Sequence, residues 1–217
     1  MGIGRSFWGM LDETERAAML AAATRRTFGP GTVICHQGDE TRNVLVVSRG
    51  RVRVSRFALN GDETLLAVRG AGDIIGEVAA IDGQGRSATI TAVDDVEGIL
   101  ITAAAFIRLC ERHPRVVWAV LRVVVSRARA AGDQQDLRTG PSLQRVAGVL
   151  LGLAHRDVSD MIATVPLSQR ELAAIAGISR ETLVRALKTL REAGIIATRR
   201  SHVEILREDE LRAVCGI

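Results

Sequence analysis

The chain has 217 residues, 47% of them hydrophobic, with a net charge of +4 and three cysteines. That is enough apolar material for one large core or two modest ones, and no segment reaches the ~20 uninterrupted apolar residues of a membrane helix. Cys35, Cys110 and Cys215 lie far apart, as do His36, His113, His155 and His202, so neither a disulfide framework nor a metal or iron–sulfur cluster is expected.

Taken in chain order, residues 6–25 predict a helix. Phe7, Leu11, Ala18 and Leu20 recur at roughly helical spacing, and Asp12, Glu13 and Glu15 stand in the early turns. Its charges are spread through that pattern, with no basic flank leading an apolar run, so it reads as part of the fold and a cytoplasmic location is expected. From Thr27 to Thr102 short β-like runs take over: Val44-Leu45-Val46-Val47, Val52-Arg53-Val54, Thr64-Leu65-Leu66-Ala67-Val68 and Thr89-Ile90-Thr91-Ala92-Val93. Glycines punctuate them, and "LNGDE", Leu59 to Glu63, predicts a type I′ hairpin. Short strands joined by tight turns indicate a small barrel or sandwich.

After Thr102 the β signal ends. Ala103–Arg112 predicts a short helix, and Pro114 is placed to open a long one reaching about Arg138. Its apolar positions Val117, Val120, Leu121, Val124, Ala128 and Ala131 form a seam at spacings of three and four. Such a seam serves either a dimer contact or packing on the helix's own domain. Thr139-Gly140-Pro141 breaks the helix and marks a domain boundary, and Ser142–His155 is helical again.

The most specific stretch is "LSQRELAAIAGISRETLVRALKTLREAGII", Leu167 to Ile196. Ser168 with Glu171 is a capping box that starts a helix at Gln169, and Gly177 suits its left-handed end. Ser179 caps a second helix buried through Leu183, Ala186, Leu187 and Leu190, which Gly194 stops. Two short helices joined by a glycine turn, with Ala173 at the crossing, make a helix-turn-helix. The outward face of the second helix carries Arg180, Glu181, Arg185 and Lys188. Arginine forks onto guanine and glutamate accepts from cytosine, so Arg180, Glu181 and Arg185 are the expected base readers of double-stranded DNA. Ser168, Gln169, Ser179, Thr182 and Lys188 are the expected phosphate contacts. Arg199 and Arg200 join them from a hairpin tip between Ile195–Thr198 and Val203–Leu206, a wing. Between Thr164 and Val203 six arginines and Lys188 face three acids, an excess that suits a polyanion.

With barrel, long helix and winged helix-turn-helix in that order, the chain resembles the cAMP receptor/FNR superfamily of bacterial transcription regulators over nearly its whole length, the cAMP receptor branch above all. "GISRETLVRALKTL" resembles the recognition helix of cAMP receptors, and "GEVAAIDGQGRSAT", Gly76 to Thr89, resembles the phosphate-binding cassette of cyclic-nucleotide-binding domains. The fold class implied is α+β: an N-terminal cyclic-nucleotide-binding β-roll or jelly-roll barrel over 1–112, a dimerisation helix over 113–138 and a winged helix-turn-helix over 139–217.

The resemblance implies a ligand site of Gly76, Glu77, Val78, Arg86, Ser87 and Ala88. Arg86 supplies a permanently charged fork for a cyclic phosphate, Ser87 adds a hydroxyl, and the helical turn Glu77–Ile81 offers N–H groups. Gly76 lets the ligand approach the backbone, and Glu77 accepts from a ribose 2′-hydroxyl. Gly85 stands where the cassette often has proline, which loosens the turn. Relatives place hydroxyls on the long helix to hold the base. Here Ala128-Arg129-Ala130-Ala131-Gly132 has none, leaving Arg129 or Gln134 as the candidate base contacts. The expected effector is cAMP, with no resident cofactor and no metal. The expected partners are DNA, a second copy of the chain, and RNA polymerase, with TGTGA-like half-sites about one helical turn apart, roughly 34–36 Å. The alternative is the same regulator with a degenerate or different pocket, active without a nucleotide. No phosphate-cradling G-x-x-x-x-G-K-[ST] loop, nucleophile–base pair or metal constellation points to an enzyme.

Overall fold

The computed structural model describes residues 6–58, 61–137, 140–154, 162–165, 167–199 and 202–216, without the side chains of 130, 131 and 133–137. The chain divides into two compact units, Arg5–Val125 and Ser126–Ile217.

The first unit opens differently from the predicted single helix. Trp8–Met10 is a turn of 3-10 helix, and α1 runs only over Glu13–Ala21. Asp12 and Glu15 form a reciprocal capping box that starts α1 afresh. Thr24 and Arg25, placed in the predicted helix, instead open strand β1 (Thr24–Phe28), because that segment finds an antiparallel partner in β8 (Val96–Ile101).

The remaining strands are β2 (Val33–Cys35), β3 (Val44–Arg49), β4 (Val52–Phe57), β5 (Glu63–Arg69), β6 (Ile74–Ile75) and β7 (Thr89–Ala92). They form two four-stranded antiparallel sheets, ordered β1-β8-β3-β6 and β2-β7-β4-β5. The inner faces meet in a core of Val47, Ile75 and Val96 from one sheet with Cys35, Val52, Ile90 and Ala92 from the other. The outer face of the first sheet carries Val44, Val46, Ile74, Ile99 and Ile101. These pack against Met19 of α1, Phe106 and Leu109 of α3 (Ala103–Arg112), and Val116 of α4 (Pro114–Leu137). The Val44–Val47 run is therefore apolar without alternation: one face meets a sheet and the other meets helices. Each such buried side chain contributes roughly 1.5–3 kcal/mol. The β4–β5 pair registers Phe57 against Glu63, and Ala58 N donates to the Asp62 carbonyl at 3.0 Å, so three residues, 59–61, lie between the paired ends where the predicted Asn60-Gly61 type I′ turn has two. Its turn type depends on Leu59 and Asn60, outside the described residues.

The predicted seam on α4 is two stripes. Val120 is buried in its own unit beside Val116 and Ala119, and Val124 is partly buried on the same core. Val117, Leu121 and Ala128 face outward, joined by Trp118 and Val125. With 3.6 residues per turn, one heptad-like row serves the unit's own core and the neighbouring row is left bare. Ala131 and Arg138 lie outside the described side chains.

The second unit packs α5 (Ser142–Leu153), α6 (Gln169–Ala176), α7 (Arg180–Glu192) and α8 (Glu208–Cys215) around Val146, Leu150, Leu172, Leu183, Leu190 and Leu211. A three-stranded sheet, β10 (Ile196–Thr198), β11 (Val203–Ile205) and β9 (Ala163–Val165), forms its edge. The sequence reading anticipated the β10–β11 hairpin, not β9 or α8. Burial pushes the Cys215 thiol up to about 11.

Candidate functional site

In the barrel, β6 delivers the chain to Gly76, which takes φ +82° and ends the strand as α2 (Glu77–Asp82) begins. A left-handed residue here favours glycine, and close approach demands it. A Cβ on Gly76 would stand 2.0 Å from Arg86 Nη1 and 2.8 Å from the Asn43 carbonyl oxygen. Arg86 Nη2 donates to the Asn43 carbonyl at 2.7 Å and Nη1 to the Gly76 carbonyl at 3.4 Å. Among the described residues its Nε is buried without a hydrogen-bond partner. Glu77 is 3% exposed, in the first turn of α2. Gly76, Glu77 and Arg86 thus converge on one end of the barrel. Ala88 is buried nearby in sequence, whereas Val78 and Ser87 are exposed.

Gly85 does not loosen this turn. Arg86 N donates to the Asp39 carbonyl at 2.9 Å, and its own carbonyl accepts from Gly38 N at 2.8 Å, pinning the segment to the 36–39 loop. A Cβ on residue 85 would lie 2.9 Å from the Gly38 carbonyl oxygen, so proline, which carries one, is excluded by the same contact. Cys35 borders this corner. Burial raises its thiol pKa, with the Arg86 charge pulling the other way.

In the second unit the capping box predicted for α6 is present: Ser168 Oγ accepts from Glu171 N, and Glu171 accepts from Ser168 N. Gly177 ends the helix at φ +60°. Ser179 caps α7, accepting from Thr182 N at 3.1 Å, and its hydroxyl also meets that of Thr182 at 2.9 Å. Leu183, Ala186, Leu187 and Leu190 face inward as predicted. Arg180, Glu181 and Arg185 are exposed, and among the described residues their side chains make no hydrogen bond or ion pair. Lys188 pairs with Glu192 at 3.7 Å, and Gln169 is exposed at the start of α6.

Arg199 is engaged at the wing. Its Nε donates to Glu204 Oε1 at 2.9 Å, which holds the Glu204 carboxyl below the usual range. Arg200 lies outside the described residues. Arg129 is exposed on α4, and the side chain of Gln134 falls outside the described ones.

Two participants escaped the sequence reading. Asn43 offers Arg86 a backbone carbonyl, which has no residue-type signature. Arg145, on α5, donates through Nη2 to the carbonyls of Ala176 and Gly177, closing the end of α6. A basic residue on the apolar α5 was the available signal. Among the described residues no helix is long and apolar enough to cross a membrane, and no group of three or more His, Cys, Asp or Glu is placed to hold a metal.

A β-roll followed by a winged helix-turn-helix defines a DNA-binding regulator with a second, β-roll domain, and comparison with known proteins agrees. The cyclic nucleotide-binding domain family matches residues 25–113, and the Crp-like helix-turn-helix domain family matches 144–214. The cyclic AMP receptor protein of Thermus thermophilus is 33% identical over 200 residues, 92% of this chain and 91% of that one. A CRP-like cAMP-activated global transcriptional regulator of Mycobacterium tuberculosis is 28% identical over 197 residues, 87% of this chain and 88% of its own. The crystal structure of the Thermus thermophilus catabolite activator protein superposes with a TM-score of 0.55 at 30% identity, covering 97% of this chain and 98% of that one. FixK2 of Bradyrhizobium japonicum shares the fold at a TM-score of 0.72 and 21% identity, over 88% of this chain and 96% of that one. The chain belongs to the cAMP receptor protein/FNR superfamily of transcription regulators. It is a DNA-binding, cyclic-nucleotide-domain regulator and not an enzyme.

Proposed function

We propose that the chain is a homodimeric, cytoplasmic, sequence-specific transcription regulator controlled by cAMP. The observation that carries the effector reading is the corner where Arg86 lies against a glycine that must lack a side chain, with Glu77 buried beside it. The cyclic phosphate takes the Arg86 guanidinium and the Ser87 hydroxyl, with Gly76, Val78 and Ala88 shaping the approach. Glu77 accepts the ribose 2′-hydroxyl, a pairing that selects a 3′,5′-cyclic nucleotide over a linear one. Arg129 or Gln134 completes the base contact.

The dimer forms along the bare outer stripe of α4, which exposes Val117, Trp118, Leu121 and Val125 to water unless a second copy covers them. Arg180, Glu181 and Arg185 read a palindrome of TGTGA-like half-sites. Ser168, Gln169, Ser179, Thr182, Lys188, Arg199 and Arg200 lie against phosphates, and RNA polymerase is the downstream partner. Residues 1–112, 113–138 and 139–217 act as effector domain, dimer helix and reader.

One observation favours a nucleotide-independent regulator: two Arg86 nitrogens already donate to carbonyls of the chain itself. Calorimetric titration with cAMP and cGMP, paired with DNA affinity measured with and without each, decides between them. Saturable cAMP binding that tightens DNA binding supports the proposal. Absent heat with unchanged DNA affinity leaves the nucleotide-independent form.

A further inference from the structure

A concavity of about 440 Å³ opens between the start of α6, the first turn of α7 and the wing, and Ser168, Gln169, Arg170, Arg180, Arg199 and His202 line it. Three of these six are permanent cations. His202 is different, because imidazole is the side chain whose unperturbed charge changes between pH 5 and 8. Its Nε2 lies 3.3 Å from Glu204 Oε1, the same oxygen to which Arg199 donates at 2.9 Å. One carboxylate oxygen is therefore shared between a fixed cation and a switchable one. The Glu204 side chain is 16% exposed and that of His202 32%, so the pair is partly shielded from water.

The charged groups around the imidazole have opposite effects. Glu204 on β11 brings a negative charge to it, and Arg199 beyond β10, Arg170 on α6 and Arg180 on α7 bring positive charge to the same hollow. The acid of α6, Glu171, is occupied by the Ser168 cap. With a neutral imidazole, Glu204 cancels Arg199 and these three wing residues present no net charge. With an imidazolium they present one positive charge at the edge of a cationic hollow, which suits a backbone phosphate.

We infer that His202 is a pH-dependent phosphate ligand of the wing, held in place by Glu204, so that DNA binding takes up a proton there and tightens as pH falls from 8 to 6. This rests on the reading of the wing as a phosphate-contacting surface. The sign follows from linkage: the DNA complex binds more protons than the protein without DNA, so affinity rises wherever His202 is still neutral before binding and levels off once it is charged. Glu204 is ionised throughout this range, and its hydrogen bond from Arg199 lowers its carboxyl further below the ordinary value. Glu204 is a positioning residue here, acting through the imidazole.

The test uses the full chain and a random-sequence duplex of about 30 base pairs, since phosphate contacts do not depend on sequence. Affinity is measured by fluorescence anisotropy at several salt concentrations at pH 8 and pH 6, and thermal melts verify that every variant is folded. The wild type is expected to bind roughly three- to tenfold more tightly at pH 6, with the slope of log affinity against log salt steeper by about 0.9, one further neutralised phosphate. His202→Gln is expected to lose most of both differences, and Glu204→Gln to flatten the pH profile while His202 is still present. A His202→Gln protein that keeps the wild-type pH difference overturns the assignment of His202. An unchanged profile in Glu204→Gln removes Glu204 from its positioning role. Arg199→Ala tests the parent reading separately: its salt slope at pH 8 is expected to fall, and an unchanged slope overturns the wing as a phosphate surface, whatever His202 does.

Discussion

The two units hold their arginines in opposite ways. In the barrel, the Arg86 guanidinium is folded inward onto the Asn43 and Gly76 carbonyls, and the backbone on either side of it is fastened to Gly38 and Asp39. On α7, Arg180 and Arg185 extend into solvent, and only the helix beneath them is fixed, by the Ser179 cap and the inward leucines. A small anion presents few atoms, so its receptor gains most from a fork whose geometry is set beforehand. A base edge in a groove is reached by a long side chain, and the precision there lies in where the helix is anchored. On the proposed function the same residue type would serve two tasks, distinguished by what its neighbours fix.

That contrast can be broken at several points. The largest effect is expected for Arg86→Leu, which removes a charge-assisted contact worth about 3 kcal/mol. Calorimetry is expected to show cAMP affinity reduced by at least about 100-fold, and Arg86→Lys is expected to recover little because an ammonium cannot fork. Retained affinity in the leucine variant would mean the barrel arginine is structural only. Arg185→Ala is expected to cost about 1–3 kcal/mol on a TGTGA-type duplex and to relax base preference at one position, read from competition against single-base variants. Equal losses on every sequence would place Arg185 with the phosphate contacts. Smallest is Ser168→Ala, which deletes the α6 cap. About 1 kcal/mol of stability should go, seen as a lower denaturant midpoint, with the rank order of preferred DNA sequences kept.

The parts of this architecture that were readable beforehand are those fixed by local chemistry. The Ser168–Glu171 box, the Ser179 cap and the left-handed Gly177 depend on residues within a few positions of one another, and each lies where the sequence put it. The β3 run was similarly legible. What failed depended on distant partners. Residues 24 and 25 look helical until β8 is there to pair with them, and the α4 seam looks single until the barrel claims Val120. Gly85 reads as slack until Gly38, 47 positions earlier, is seen pressed against it. Asn43 and Arg145 act through main-chain carbonyls at one end of the bond, and no pattern of side chains announces that.

The outer stripe of α4 has a practical consequence. The chain has two tryptophans and no tyrosine. Trp8 lies beneath the Arg16 guanidinium, 5.9 Å from its ring centre, while Trp118 is 61% exposed on the stripe. Two copies joined along that stripe would draw the Trp118 indole out of water and shift its emission to shorter wavelength. Simple dilution would then reverse the shift, which would make Trp118 an unlabelled optical gauge of the proposed self-association.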